Sequence, residues 1–491
     1  MTTTLLQRLA AKVCAFGPAN VTPQAVHLAR TAIIDTLGVT LAGAVEPAAA
    51  LLLATPGMAA ASGPCTIFGT TRKTTALDAT FANGVASHAL DYDDFSEPMG
   101  GHQSVPLVAP LMAVAEERGL SGAKLIEAYL VGIETEIRLA RAVNFVHYDK
   151  GWHPTATVGI FGTVAAVGHM TGMEQEKLVT AFAIAASFAS GLKANFGTMV
   201  KPLHIGQAAR NGLLAVLLAD AGYDANPAVL EHKQGFLNVF NGPGQFDAER
   251  LFENWADPLE VLSPSMGLKQ FPCCGSTHPA IAAMLALREE EGVRAKDVTR
   301  IEALPHARRL RHTDNPDPRT PLQAKFSVQY AVARALLDGA VRLGHFEGNA
   351  PLEPAVRALL DRTTASPHPD MADDAAHQFS AEVRVTLQDG RVISRRIEDL
   401  VGRGGDNPMS SDELWEKFYD CGKRCIDKHD LLPLFERLEN LEKVANMRDV
   451  TRLLVPRATP GKGQHVPGIA SKQTSAAPAM GNTLQETSWV P

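Results

Sequence analysis

Lys201-Pro-Leu-His204 heads a stretch whose later residues Leu213, Leu214, Val216, Leu217 and Leu218 are apolar. Pro202 suits a first helical turn, where its missing N–H loses nothing. The pattern therefore predicts a buried helix with a lysine and a histidine at its mouth. A lysine held against buried surface needs an anion or a shifted pKa, and a carboxylate substrate is a natural partner. A surface lysine that caps a core helix fits this segment equally well.

Four further segments set ionisable groups among apolar or glycine-rich neighbours, where their burial is costly unless they are paired or used. Residues 87–104 carry Asp91, Asp93 and Asp94 at a helix C-terminus that repels them, and His102 follows in a Gly-Gly-His turn. A solvated or calcium-like acidic turn is the plain alternative there. Gly151-Trp-His153-Pro154 opens a small-residue helix whose positive N-terminus favours a neutral imidazole and attracts anions. Taken alone, a histidine beside a tryptophan also reads as core packing. Lys269 to His278 brackets the vicinal pair Cys273-Cys274, which suits either a reactive thiol or packing. Lys325 to Ala333 places Tyr330 on a helix, as a proton donor or as a buried tyrosine with a satisfied hydroxyl.

The elements that must position these groups change in texture along the chain. Periodicity predicts helices over 29–42, 75–90, 104–118, 122–143, 155–171 and 177–190. Thr22-Pro23 and Ser121 mark helix starts, and Met173-Glu-Gln-Glu leads into another. Strands are predicted at 298–304, 381–387 and 392–397, with Asp389-Gly390 as the hairpin step between the last two. Helices are expected between and after them, at 278–291, 327–337, 354–360, 411–425 and 431–440.

A chain of 491 residues exceeds one ordinary core, so more than one domain is expected. A net charge of −7 without a sustained basic stripe argues against nucleic acid as the main partner. The six cysteines form no disulfide framework, and the amino terminus lacks the pattern of a signal peptide, so a reducing cytoplasm is expected. Cys421, Cys425 and His429 fall short of a four-ligand zinc set, so no metal is expected. The apolar run 179–192 is too short and too interrupted by serine to span a bilayer, so no membrane partner is expected. Residues 458–491 lack core-forming side chains and are expected to be disordered.

Together the five segments resemble the MmgE/PrpD family of aconitate decarboxylases, 2-methylcitrate dehydratases and iminodisuccinate epimerases. The resemblance runs over about residues 5–455, carried by Ala-Leu-Asp91-Tyr-Asp-Asp, Gly-Trp-His153-Pro-Thr, Lys201-Pro-Leu-His-Ile-Gly and Lys269-x-x-Pro-Cys-Cys with His278. It implies a mostly α fold with an α+β insertion: a large helical domain from both chain ends (1–266 and 404–457) and a smaller α+β lid domain (267–403). It also implies a homodimer, no metal or organic cofactor, and a site between the domains. The decarboxylase site carries over to Asp91, His102, His153, Lys201 and Lys269, with Tyr330 approaching from the lid. Phe95 replaces the threonine that commonly follows the aspartate pair, and Cys274 stands where mammalian-type enzymes have a histidine.

The shared problem of these reactions is negative charge that develops beside a carboxylate. Lys201 and Lys269 are expected to bind and stabilise it, with His278 and Cys274 also lining the substrate. His102 and His153 are expected to move protons, Asp91 to orient a neighbour, and Tyr330 to donate a proton or hydrogen bond. The leading expectation is a cofactor-independent lyase acting on a small polycarboxylate, by cis-aconitate-type decarboxylation. A 2-methylcitrate-type dehydratase, an epimerase pairing Tyr148 with Lys201, and a non-catalytic organic-acid-binding protein are the alternatives.

Overall fold

The computed structural model describes residues 3–371 and 379–457; the tail expected to be disordered lies outside the described residues. The protein is mostly helical with small sheets, as its sequence patterning predicts. The helices that matter to the site are α1 (Leu5–Ala15), α2 (Pro23–Gly43), α3 (Ala76–His88), α4 (Val105–Arg118), α5 (Gly122–Val143), α6 (Gly159–Thr171), α7 (Gln175–Phe188) and α8 (Val200–Asp220). Later come α9 (His278–Glu290), α10 (Val328–Asp338), α11 (Pro354–Leu360), α12 (Ser411–Gly422) and α13 (Lys428–Leu438).

Local chemistry explains most of the boundaries. Ser121 accepts from the Lys124 N–H to start α5, and Thr22 accepts from Ala25 with Pro23 in the first turn of α2. α1 has no counterpart among the sequence expectations, although Thr4 and Gln7 close a capping box at its start. The helix expected over 155–171 is interrupted at Val158, where a four-residue turn, Pro154–Thr157, precedes α6. α13 starts at Lys428, ahead of the expected 431, because Asp427 accepts from the His429 N–H.

The four-stranded sheet contains β1 (Val298–Pro305), β2 (Thr363–Ala365), β3 (Ala381–Leu387) and β4 (Val392–Ile397), in the order β2-β1-β3-β4. β1 pairs in parallel with β2 and antiparallel with β3, with Ile301 opposite both Thr363 and Val385. β3 and β4 form the hairpin that Asp389-Gly390 signals. The three-residue β2 is too short to show an alternating pattern and was not among the expected strands.

One hydrophobic core draws on α1 to α8 and again on α12 and α13, including Leu37, Leu111, Ile133, Phe161, Ile205, Phe418 and Leu434. A second gathers Ile281, Ile301, Val332, Val356 and Val383 around the sheet. α2 is long and apolar enough to cross a bilayer, but 78% of its apolar window is buried inside the protein. Its Asp35 also pairs with Lys417 of α12 at 2.5 Å, which fits a core helix.

α3 and α8 approach closely where Gly84 faces Gly206: a Cβ on Gly206 would lie 2.6 Å from the Phe81 carbonyl oxygen. This contact sets the depth of the α8 N-terminus, and therefore of Lys201, against the end of α3.

Candidate active site

α3 ends at His88, and the chain turns at Asp91, whose φ of +54° is a left-handed conformation that aspartate tolerates better than most residues. Each of the three aspartates then finds donors from outside its own helix, as their position requires. Asp91 Oδ1 lies 2.8 Å from Lys201 Nζ, 3.3 Å from Lys269 Nζ and 3.5 Å from His102 Nε2. Lys269 also donates a short hydrogen bond to the Asp91 carbonyl. Asp93 Oδ2 faces His88 Nδ1 at 2.8 Å and His102 Nδ1 at 3.0 Å. Asp94 accepts from Gln103 Nε2 at 2.9 Å, from the Ser104 N–H at 3.2 Å, and from the Ser104 hydroxyl.

Burial works against the charge on Asp91, but Lys201 and Lys269 outweigh it and hold the carboxyl well below its usual range. Burial likewise opposes Asp93, and the imidazoles of His102 and His88 outweigh it. Lys269 is raised because the charges of Asp91 and Asp93 overcome its own desolvation.

The histidines form a second layer. The His88 and His102 rings meet edge to face at 4.6 Å, and the His88 and His153 centroids are 6.0 Å apart. The His102 N–H donates to Thr155 Oγ1 at 3.0 Å, and the His153 N–H donates to the Gly191 carbonyl at 3.0 Å. These two bonds tie the Gly-Gly-His turn to the Trp-His-Pro turn, and that turn to the loop before α8. His153 is 1% exposed, with its ring edge-on to Phe196 at 4.8 Å and its Nδ1 3.2 Å from His204 Nδ1. Burial and the neighbouring Lys201 hold His153 well below the usual histidine range, and burial pulls His88 down to about 4. Both are neutral at pH 7 and can accept or donate a proton at a ring nitrogen.

Of the residues singled out in the sequence, Asp91, His102, His153, Lys201 and Lys269 come together in one cluster. Cys274 is half-buried beside it, its thiol pushed up by burial and drawn down less strongly by Lys269. His278 is buried behind Lys269, with Nε2 3.3 Å from the Cys273 carbonyl oxygen, and burial lowers it to about 3. It forms part of the wall around Lys269 rather than the cluster itself.

Tyr330 does not join them. Its ring is fully buried in the second core, where its hydroxyl donates to the His345 carbonyl and accepts from Arg334 Nε at 2.9 Å. Both hydroxyl bonds are made within the α+β part, so the expectation of a proton donor is corrected to a packed tyrosine. The same segment sends Lys325 instead: its Nζ donates to the Leu90 carbonyl at 2.9 Å, and burial lowers its pKa. Tyr148, expected as an epimerase partner for Lys201, lies under Lys193, whose Nζ is 3.2 Å from the ring centroid.

Sequence reasoning also passed over His88, Asp93 as an imidazole partner, and Lys417. Lys417 is buried and donates to the Lys269 carbonyl at 2.7 Å and the Tyr92 carbonyl at 3.0 Å, so α12 braces the backbone behind the cluster. The one signal for His88 was its place in Ser-His-Ala-Leu-Asp, four residues after Gly84 on a small-residue helix face.

Among the described residues, His88, Asp91, Asp93 and His102 bring possible ligand atoms within 4.8 Å of one another. Two ammonium groups already neutralise Asp91, and both Nδ1 atoms face Asp93, so this donor set suits internal pairing better than open coordination of a cation. The cluster sets two lysine ammonium groups on one carboxylate oxygen beside the neutral imidazoles of His88 and His153. That combination suits a carboxylate whose reaction builds up negative charge.

The MmgE/PrpD N-terminal domain profile matches residues 7–249, and the MmgE/PrpD C-terminal domain profile matches 271–437. The chain is 30% identical to a cis-aconitate decarboxylase of Homo sapiens over 84% of this chain and 83% of the relative. It is 27% identical to a cis-aconitate decarboxylase of Aspergillus terreus over 80% and 84% of the two chains. It is 26% identical to a 2-methylcitrate dehydratase of Cupriavidus necator over 75% and 80%.

Proposed function

This chain belongs to the MmgE/PrpD family and is a lyase, and we propose that it decarboxylates a small tricarboxylic acid of the cis-aconitate type. The observation that carries this reading is the pair of ammonium groups, Lys201 and Lys269, converging on one carboxylate oxygen of Asp91. Asp91 shows what these lysines hold, and a substrate carboxylate competes for the same donors. The higher identity to cis-aconitate decarboxylases than to 2-methylcitrate dehydratases favours loss of carbon dioxide over loss of water.

In this reading the lysines bind substrate carboxylates, and they stabilise the electron pair left on carbon when the C–C bond to the departing carboxylate breaks. Delocalisation of that pair into a carboxylate held by Lys201 and Lys269 lowers the barrier, because both donors are already in place. His153, with Nε2 buried and without a partner among the described residues, protonates the carbanion. Asp91 orients the lysines and faces His102, Cys274 and His278 shape the side around Lys269, and two copies of the chain form the working dimer.

Incubation of the purified protein with cis-aconitate, 2-methylcitrate and iminodisuccinate separates the candidate reactions. Carbon dioxide release from cis-aconitate is the expected result. Absorbance of a new double bond from 2-methylcitrate alone assigns a dehydratase, and solvent deuterium uptake without net conversion of iminodisuccinate assigns an epimerase. Silence with all three refutes the reading.

A further inference from the structure

We propose that His204 is the outer member of a two-histidine proton relay, in which His204 Nδ1 hands a proton to His153 Nδ1 and His153 Nε2 delivers one to the substrate carbon. The inference rests on the decarboxylase reading, and it gives the site a source for the proton that this reaction consumes.

Decarboxylation replaces a C–CO₂⁻ bond by a C–H bond, so each turnover takes up one proton from solvent. His153 is 1% exposed and cannot collect that proton directly. The two Nδ1 atoms are 3.2 Å apart, so one carries the hydrogen and the other offers its lone pair. His204 is half-buried, whereas His153 Nε2 is buried and has no partner among the described residues. The His204 side therefore leads outward and the His153 Nε2 side leads inward.

The surrounding backbone holds this pair in register. Gly191 has φ +133°, its carbonyl accepts from the His153 N–H, and a Cβ there would meet His204 Nδ1 at 3.4 Å and Ala156 Cβ at 3.3 Å. A side chain at 191 would crowd the His204 ring as well as strain the backbone.

The step balances. The C–C bond breaks and carbon dioxide leaves, its former bonding pair staying on the substrate carbon. That carbon takes the hydrogen of His153 Nε2, His153 Nδ1 takes the hydrogen of His204 Nδ1, and His204 takes a proton from water at Nε2; both rings end neutral in the other tautomer, which reverses before the next turnover. An imidazole that gains a proton at one nitrogen while losing one at the other returns neutral, so no charge is stranded in the buried layer.

The test compares the full-length wild type with His204→Ala and His204→Asn in cis-aconitate turnover, with folding checked by thermal melting. Asparagine can still donate to His153 Nδ1 but cannot pass a proton on. The relay predicts that kcat falls by about tenfold or more in both variants at unchanged KM, and that added imidazole restores activity to the alanine variant only. Wild-type kcat in His204→Asn overturns it, as does a loss in His204→Ala that imidazole leaves untouched. Failure of the decarboxylase reading is distinct, since the wild type itself would then release no carbon dioxide. In that event ¹⁵N-histidine NMR without substrate tests the His153–His204 hydrogen bond on which the relay stands: the His153 ring nitrogens must shift when His204 is replaced, and unchanged resonances overturn it.

Discussion

Replacing Lys201 by methionine removes one ammonium and keeps most of the side-chain volume. Lys201 Nζ lies 2.8 Å from Asp91 Oδ1, and its side chain is 15% exposed. At that distance the gross attraction for a carboxylate is about 6 kcal/mol at an effective dielectric of about 20. Desolvation and the competing hold of Asp91 offset part of this. The remainder falls in the range measured for removing one preorganised donor from an anion-stabilising site, about 3–4 kcal/mol. We therefore expect kcat/KM for carbon dioxide release from cis-aconitate to fall by about 10²–10³-fold in Lys201→Met. Lys201→Arg should recover only part of it, because a planar fork cannot occupy the place of a compact ammonium. The fold should hold, since Asp91 keeps Lys269 at 3.3 Å and His102 at 3.5 Å. Unfolding free energy should change by only about 1 kcal/mol. A Lys201→Met protein that melts like wild type and stays within about threefold of its kcat/KM would refute the assignment.

Three further outcomes follow from the geometry. Gly206→Ala drives a Cβ against the Phe81 carbonyl and should lower stability by about 2–3 kcal/mol in urea titration, with loss of activity as the Lys201 end of α8 shifts; an unchanged midpoint refutes the close approach of α3 and α8. Tyr330→Phe should cost about 1–2 kcal/mol through the unpaired Arg334 and His345 groups yet keep its kcat/KM, whereas a hundredfold kinetic loss would return the hydroxyl to the chemistry. His88 is lowered to about 4 by burial, against about 6.5 when unfolded, so between those values the unfolded chain binds more protons and this group's contribution to stability falls as pH falls. Asp94, raised to about 8 by burial, acts in the opposite sense, so the quantity to measure is the stability of wild type minus that of His88→Gln. That difference should shrink by about 3 kcal/mol on going from pH 7 to pH 4, and a constant difference refutes the assignment.

Much of the local structure is legible in the sequence. The spacing of apolar residues and Ser121 place α5 at 122–143, and alternation with Asp389-Gly390 places β3 and β4, because these depend on neighbours a few residues away. The residue types at helix starts likewise identify Lys201 and His153 as groups needing an anion or a partner. What they pair with is not local. Asp91 meets Lys201 across 110 residues and Lys269 across 178, and Lys417 braces Lys269 across 148. Lys325 and Tyr330 lie on one short segment of which the sequence singles out only the tyrosine, and only the packing of α10 turns that tyrosine into the second core while the lysine reaches Leu90.

His204 stands in the sequence at the mouth of its helix, and its contact with His153, 51 residues earlier, is made only when the two segments pack together. Sequence by itself thus determines which charged groups stand at the ends of buried elements, since periodicity and capping are short-range. The tertiary structure decides which of them neutralise one another and which face inward, because burial and charge pairing are settled only when distant segments share one low-dielectric space.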